Sequence, residues 1–275
     1  MTPPTPDPYR VAIGGLGAIG AWLAERLDQG IPGLKLAAVS ARDADKAERR
    51  VAAFQNRVSV LPLSTLAEHA DVIVECAPAA HFDEIAEPAV EAGRILVPAS
   101  VGALLGRSDL IVRATDTGAR IFVPTGALLG LDAVRAAAEG EIRSVTMETR
   151  KPPSGLAGAP YLAERGISLD GLTEPLRVFT GSARDGARGF PANVNVAAAL
   201  SLAGIGPDRT RLEIWADPGV TRNTHLIRVD ADSARFEMKI ENVPTEENPR
   251  TGRITAPSIL ATLRGLVAPL RVGTC

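Results

Sequence analysis

The residues of this chain able to move a proton or hold an anion are few and well separated. His225 stands in Arg222-Asn223-Thr224-His225, where a polar cluster opens a strand after Asp217-Pro218. An imidazole, with a pKa near neutrality, suits the task of accepting a proton while a hydride leaves a neighbouring carbon. A hydrogen-bonded structural histidine is the other reading of that position. His69, at the polar end of Leu66 to Ala70, reads as a surface or capping residue, and His81, after Glu75-Cys76-Ala77-Pro78, reads as a helix-start residue, with contact to a ligand at that strand edge as the other reading. Lys151, in Arg150-Lys151-Pro152-Pro153-Ser154-Gly155, offers a cation that could hold a carboxylate. Otherwise that stretch is a solvated strand end stiffened by prolines. Asn223 could orient His225, and Asp217, next to a proline, reads as a turn former. Asn193 and Asn195 stand before an alanine-rich helix, where asparagine serves as an N-cap or meets a ligand.

The second constellation is VAIGGLGAIGAWLAERL, Val11 to Leu27, in which Gly15, Gly17 and Gly20 fill the three glycine positions of a G-x-G-x-x-G fingerprint. The first makes the turn, the second lets backbone approach a pyrophosphate, and the third lets helix and strand pack closely. The amides of the helix that opens at Ala18 and Ile19 would meet the phosphates. An acidic residue that would bind the ribose 2′-hydroxyl of NAD is missing where the second strand ends, Val39-Ser40-Ala41-Arg42. Ser40 and Arg42 suit a 2′-phosphate, so the lean is to NADP or dual use of NAD and NADP. Arg42 read as a surface charge and Asp43 turning inward are the competing possibilities. Ala77 lies at the strand edge where a nicotinamide would sit.

The elements that must position these residues follow from periodicity. Strand-like runs at Arg10 to Gly14, Leu34 to Ser40, Val58 to Leu61, Asp71 to Cys76, Arg94 to Pro98 and Arg120 to Pro124 alternate with helical stretches. Those helices are Ala21 to Gln29, Ala44 to Gln55, Phe82 to Ala92 and Gly106 to Thr117. Such alternation predicts an α/β Rossmann domain on a doubly wound parallel sheet. Past a helix over Asp132 to Glu139 the period becomes two, at Ser144 to Thr149, Arg211 to Asp217, Asn223 to Val229 and Ala234 to Glu241. These predict a second α+β domain on an open, mostly antiparallel sheet, with Val194 to Ala203 as one covering helix. The expected division is residues 1–130, completed by a C-terminal helical segment within 251–275, and residues 131–250 for substrate and dimerisation. A homodimer through the open sheet is expected, on the ground that its apolar face needs cover.

Composition narrows the partners. The 275 residues carry 45% hydrophobic content and a formal net charge of -2, giving no electrostatic reason to expect nucleic acid or an anionic membrane. Small molecules are the expected ligands. Cys76 and Cys275 are too far apart for a metal-spacing pair or a disulfide framework, no His/Cys/carboxylate spacing suggests a metal, and a reducing cytoplasm is expected. No stretch reaches the roughly 18 apolar residues of a membrane helix.

The chain resembles the L-aspartate dehydrogenases over nearly its whole length. The resemblance is carried by Thr125-Gly126-Ala127-Leu128-Leu129-Gly130-Leu131-Asp132, Thr149-Arg150-Lys151-Pro152-Pro153, Phe190-Pro191-Ala192-Asn193-Val194-Asn195-Val196-Ala197-Ala198 with Leu202-Ala203-Gly204, Asn223-x-His225, and Glu241-Asn242-Val243-Pro244 with Glu247-Asn248-Pro249-x-Thr251. It implies that His225 is the catalytic histidine and that Ala127, Asn193 and Asn195 lie against the cofactor. It also implies reversible oxidative deamination of L-aspartate to iminosuccinate, then oxaloacetate and ammonia. Release of the imine would connect the chain to the quinolinate branch of NAD synthesis. The stretch from Lys151 to Ser154 and Gly155 is similar to the substrate loop of dihydrodipicolinate reductases, which makes Lys151, Ser154 and Asn223 candidates for substrate binding. Two other functions remain: a related reductase of homoserine- or dihydrodipicolinate-type substrates, and a cofactor-binding sensor without turnover.

Overall fold

An apolar run that breaks at glycine begins the first sheet. The computed structural model of the protein describes residues 7–191, 194–246 and 251–273, so Asn193 and Glu247-Asn248-Pro249 lie outside the described residues. In chain order the elements start with β1 (Tyr9–Gly14), α1 (Ala18–Asp28), β2 (Leu34–Ser40), α2 (Ala44–Val51), β3 (Ser59–Val60) and α3 (Leu66–His69). Next come β4 (Val72–Glu75), α4 (Phe82–Glu91), β5 (Ile95–Pro98), α5 (Val101–Leu104), α6 (Ser108–Thr117) and β6 (Arg120–Ile121). After them follow α7 (Leu131–Ala138), β7 (Ile142–Lys151), α8 (Pro153–Leu156), α9 (Pro160–Glu164), β8 (Leu176–Ser182), α10 (Ala183–Gly189) and α11 (Asn195–Ala203). The chain closes with β9 (Arg211–Ala216), β10 (Asn223–Ala231), β11 (Arg235–Asn242) and α12 (Thr255–Val267).

Two compact units result. The first comprises Met1–Ser100, Arg107–Pro124 and Ala256–Arg271, and the second Val101–Gly106, Thr125–Thr255 and Val272–Cys275. In the first, all pairings are parallel and the strand order is β3-β2-β1-β4-β5-β6, the arrangement of a dinucleotide-binding sheet. Central strands of such a sheet are covered on both faces, which is why Val72, Ile73 and Val74 are apolar without alternation and fully buried. Ile259, Leu260 and Leu263, one stripe of α12, join the core built on Val11, Ile13 and Leu23.

The second unit is a five-stranded sheet in the order β11-β10-β7-β9-β8. β7 and β9 run parallel and the other neighbours antiparallel. Alternation sends Val145, Met147, Ile214, Ile227 and Val229 to a covered face, where α7 packs on β10 and α11 on α7. Tyr161, Phe179 and Phe190 close the β8 side with ring centroids 5.3 to 5.7 Å apart.

Several expectations change. The helix expected from Ala44 to Gln55 stops at Val51, and the one expected from Gly106 starts at Ser108. β8 and α8 to α10 fill a stretch in which no element was expected, because short proline- and glycine-punctuated segments carry too little periodicity to register. Asn195 does not cap α11: it is the first helical residue, Val194 is the N-cap, and the Asn195 side-chain oxygen accepts from the Gly102 amide at 3.0 Å. The open face of the second sheet is not apolar. It is laced with ion pairs, Arg228 to Glu237 at 2.7 Å, Arg235 to Asp230 at 2.8 Å and Arg211 to Glu213 at 3.3 Å. Each such pair contributes little to stability, yet together they make the face water-compatible and remove the reason given for covering it.

Gly20 sets the approach of α1 to β1, since a Cβ there would press into the Gly15 carbonyl. We expect Gly20→Ala to cost about 1–3 kcal/mol through overpacking, read as a lowered melting temperature by circular dichroism; an unchanged melting temperature would show that the loop gives way freely.

Candidate active site

At the carboxyl edge of the first sheet the three glycines carry separate duties. Gly15 has φ +107°, a backbone state that side chains rarely adopt, and its amide donates to the Ser40 carbonyl at 2.9 Å. A Cβ at Gly15 would lie 2.7 Å from the Cys76 carbonyl oxygen, so the loop is seated directly on the Cys76-Ala77 turn. Gly17 is the N-cap of α1, extended at φ -73° and ψ -168°, and a Cβ there would meet nothing within 4 Å. That free space, beside the first α1 residues Ala18, Ile19 and Gly20, is what a pyrophosphate requires. The first turn of α1 carries no acidic residue to oppose it. The residues present fit a dinucleotide.

Ser40 ends β2 and is buried, whereas Arg42 is exposed. Asp43, the nearest carboxylate, does not turn inward: it is the N-cap of α2, and its Oδ1 accepts from the Lys46 amide at 2.9 Å. The acidic side chain closest to the end of β2 is thus committed to a helix terminus, and Arg42 stands in the open.

The second unit buries a histidine, a threonine and a lysine at neighbouring strand ends. Register pairs His225 of β10 with Thr149 of β7, and the Thr149 hydroxyl and His225 Nδ1 share a hydrogen bond of 3.1 Å. When Nδ1 holds the ring proton and donates it to Thr149 Oγ1, Nε2 keeps its lone pair as a base. Lys151, two residues along β7, is on the same face and is 5% exposed. Burial first, and the Lys151 cation second, push the His225 pKa down to about 3. The imidazole is therefore neutral. Arg150, on the opposite face, is spent elsewhere: it donates to Glu148 Oε1 at 2.7 Å and Asp217 Oδ2 at 3.0 Å, and stacks over Trp215 at 4.7 Å. Asp217 also accepts from the Gly219 amide at 2.8 Å, the turn-forming contact, so it both shapes the loop before β10 and anchors Arg150.

The structure brings His225, Thr149, Lys151, Asn223 and Gly155 together. A Cβ on Gly155 would be 3.8 Å from Lys151 Cβ and 4.0 Å from Asn223 Oδ1, so the turn after Pro152 folds back over this end of the sheet. Ser154 on that turn is exposed. The hydrogen bond to the imidazole comes from Thr149, while Asn223 pairs in register with Asn242, whose side-chain amide donates to the Ala127 carbonyl at 3.0 Å. His81 Nδ1 donates to Glu84 Oε1 at 2.7 Å at the start of α4, and His69 ends α3 on the surface. Thr149 was missed although its signal was present, since Thr149 and Lys151 stand two apart in a strand of period two. A cleft lined by Thr180, Asp208, Arg209 and Arg211 lies at the far end of the same sheet and shares none of these residues. Among the described residues no group of three or more His, Cys, Asp or Glu is placed to hold a metal, and no helix is long and apolar enough to cross a membrane.

Comparison with known proteins covers both units. The family model for the C-terminal part of aspartate dehydrogenase matches residues 132–266, and that for the NAD binding domain of homoserine dehydrogenase matches residues 15–124. An L-aspartate dehydrogenase of Bordetella bronchiseptica is 58% identical over 96% of this chain and 97% of its own. One from Methanocella arvoryzae is 40% identical, covering 97% and 100% of the two chains. The crystal structure of aspartate dehydrogenase from Thermotoga maritima superposes with a TM-score of 0.72 at 27% identity, over 96% of this chain and 99% of that one.

A neutral buried His225 has a thermodynamic signature. Its folded pKa of about 3 lies below the ordinary 6.5, so between those values the unfolded chain binds a proton that the folded chain refuses. Stability is therefore full above about pH 6.5 and falls as pH drops toward 3. In urea titrations across that window, His225→Asn should lose part of the decline seen in the wild type, and parallel declines would show that the folded imidazole is charged.

Proposed function

The chain belongs to the aspartate dehydrogenase family of oxidoreductases, and from that premise we propose that it catalyses the reversible oxidative deamination of L-aspartate with a nicotinamide dinucleotide. What supports this most directly is the pairing of a neutral buried imidazole with a buried lysine on one sheet face. Aspartate brings two carboxylates and an amine that must shed a proton before its α-hydrogen can leave. Lys151 is the cation for a carboxylate, with Asn223 beside it as an amide donor.

His225 is the base. With its pKa at about 3 in the empty site it is a poor acceptor, and the physical cause of that value indicates the remedy. A dicarboxylate arriving next to Lys151 offsets the cation, brings negative charge to the imidazole and raises its proton affinity toward the working range. Substrate thus activates its own base. The Thr149 hydroxyl engages Nδ1, which leaves Nε2 as the atom to take the proton from the substrate nitrogen. The bound dinucleotide supplies a hydride acceptor for the α-hydrogen. Loss of that hydride and one amine proton leaves iminosuccinate, and addition of water with loss of ammonia gives oxaloacetate. In that second half His225, once it has released the first proton to solvent, takes a proton from the attacking water and returns it to the nitrogen that leaves as ammonia.

The reading is tested by following nicotinamide absorbance with oxaloacetate and ammonium, with NADH and NADPH in parallel. The wild type should consume the reduced cofactor, and His225→Ala should lose turnover by about 10²–10⁴-fold, the size of a general-base contribution, while still binding dinucleotide. No consumption with either coenzyme would move the assignment to a different imine or carbonyl substrate. Exposed Arg42, with Asp43 committed to its helix cap, favours a 2′-phosphate, so NADPH is the preferred or equally used coenzyme. Arg42→Ala should raise KM for NADPH by about tenfold with little change for NADH; equal effects on both would refute the 2′-phosphate contact.

A further inference from the structure

β4 is apolar through Val72, Ile73 and Val74 and then ends on a carboxylate, Glu75, that is 0% exposed. A carboxylate in such a place is expensive unless donors surround it, and here they do. Oε2 accepts from the Ser100 amide at 2.8 Å, Oε1 accepts from the Ser100 hydroxyl at 3.0 Å, and the nearby Ala77 amide also favours the charged form, while the Ala99 amide donates to the Glu75 main-chain carbonyl at 2.8 Å. The same hydroxyl lies 3.3 Å from the Ala77 carbonyl, so Ser100 ties the turn after β4 to the end of β5. Burial outweighs these donors and pushes the carboxyl up to about 7, a sign of how much solvation was surrendered. What stands on this clamp is the glycine loop. The Cys76-Ala77 turn is the wall behind Gly15, at 2.7 Å from the Cys76 carbonyl oxygen and 2.9 Å from the Ala77 nitrogen for a Cβ built there.

We propose that Glu75 is a positioning residue for the dinucleotide: by gathering the amides after β4 and β5 it sets the wall against which the Gly15 to Gly20 loop takes its phosphate-binding shape. Gly14, the residue before the loop, pairs with Ser40 on one side and Glu75 on the other. The strand end that carries the clamp is thus a direct neighbour of the strand end that carries the loop. A leucine at position 75 would fill similar volume but leave the Ser100 amide buried without an acceptor and the Ser100 hydroxyl with the Ala77 carbonyl alone. A glutamine would keep one acceptor and the shape. The inference rests on the dinucleotide reading of the glycine loop.

The test uses the full chain and calorimetric titration with NADH and NADPH. Glu75→Leu should weaken dinucleotide binding about tenfold, the cost of an orphaned buried donor, and raise KM for the coenzyme while KM for the amino acid stays within about twofold. Glu75→Gln should return affinity to within about threefold of the wild type. A Glu75→Leu protein with wild-type dinucleotide affinity, or one in which both KM values rise together, overturns the proposal. Should Glu75→Leu fail to fold, Ser100→Ala decides: it removes the hydroxyl bridge and keeps the amide, and unchanged dinucleotide affinity there is equally fatal. Absence of binding by the wild type would strike the dinucleotide reading itself and this inference with it.

Discussion

An imidazole kept uncharged by burial is the constraint on which the second unit depends. His225 is buried beside the Thr149 hydroxyl and next to a cation, so the folded chain keeps it neutral. That state requires the register of β10 on β7. Because side chains alternate, a slip of one residue would carry His225 to the charged face and Thr149 away from it. The pairs below them, Ile227 with Met147 and Val229 with Val145, pin the register by packing. The chemistry at the strand end is thus held in place by ordinary hydrophobic contacts further down the sheet.

The first unit solves a related problem at its own strand ends. A parallel sheet buries its centre completely, which leaves the carboxyl edge as the place where polar groups can gather and where the loops carry function. Gly15, Ser40, Glu75 and Ser100 all sit on that edge, each within bonding distance of another member. In both units a polar group is buried at the end of a strand whose neighbouring inward residues are apolar, and local stability is given up for a fixed geometry.

Much of this was legible from residue pattern. The glycine fingerprint after an apolar strand, the alternation of strand and helix, and the change to a period of two near Leu131 are signals of local chain geometry, and they reach the level of fold class. What escaped was anything settled by partners far apart in sequence. Asn195 looks like a helix cap because of its position before an alanine run, but its oxygen is claimed by Gly102, which periodicity cannot reveal. Thr149 gains its meaning only from the strand laid beside it. The open face of the second sheet was misjudged because alternation says which residues share a face and not how their charges will pair across strands; Arg228 finding Glu237 is a property of the register.

The return of α12 to the first core affects how the chain can be made. Ile259, Leu260 and Leu263 share a cluster with Val11, Ile13 and Leu23, so the two ends of the polypeptide complete one hydrophobic interior while the second unit is strung between them. During synthesis the amino-terminal sheet emerges first yet waits for the last helix to cover it. The inserted unit, whose strands are all in hand by Asn242, can close earlier. Loop-closure entropy makes that terminal docking the slow event. Truncation or a stalled ribosome near the carboxyl end would release a chain with a closed second unit and an uncovered first sheet, a form suited to capture by chaperones and not to catalysis.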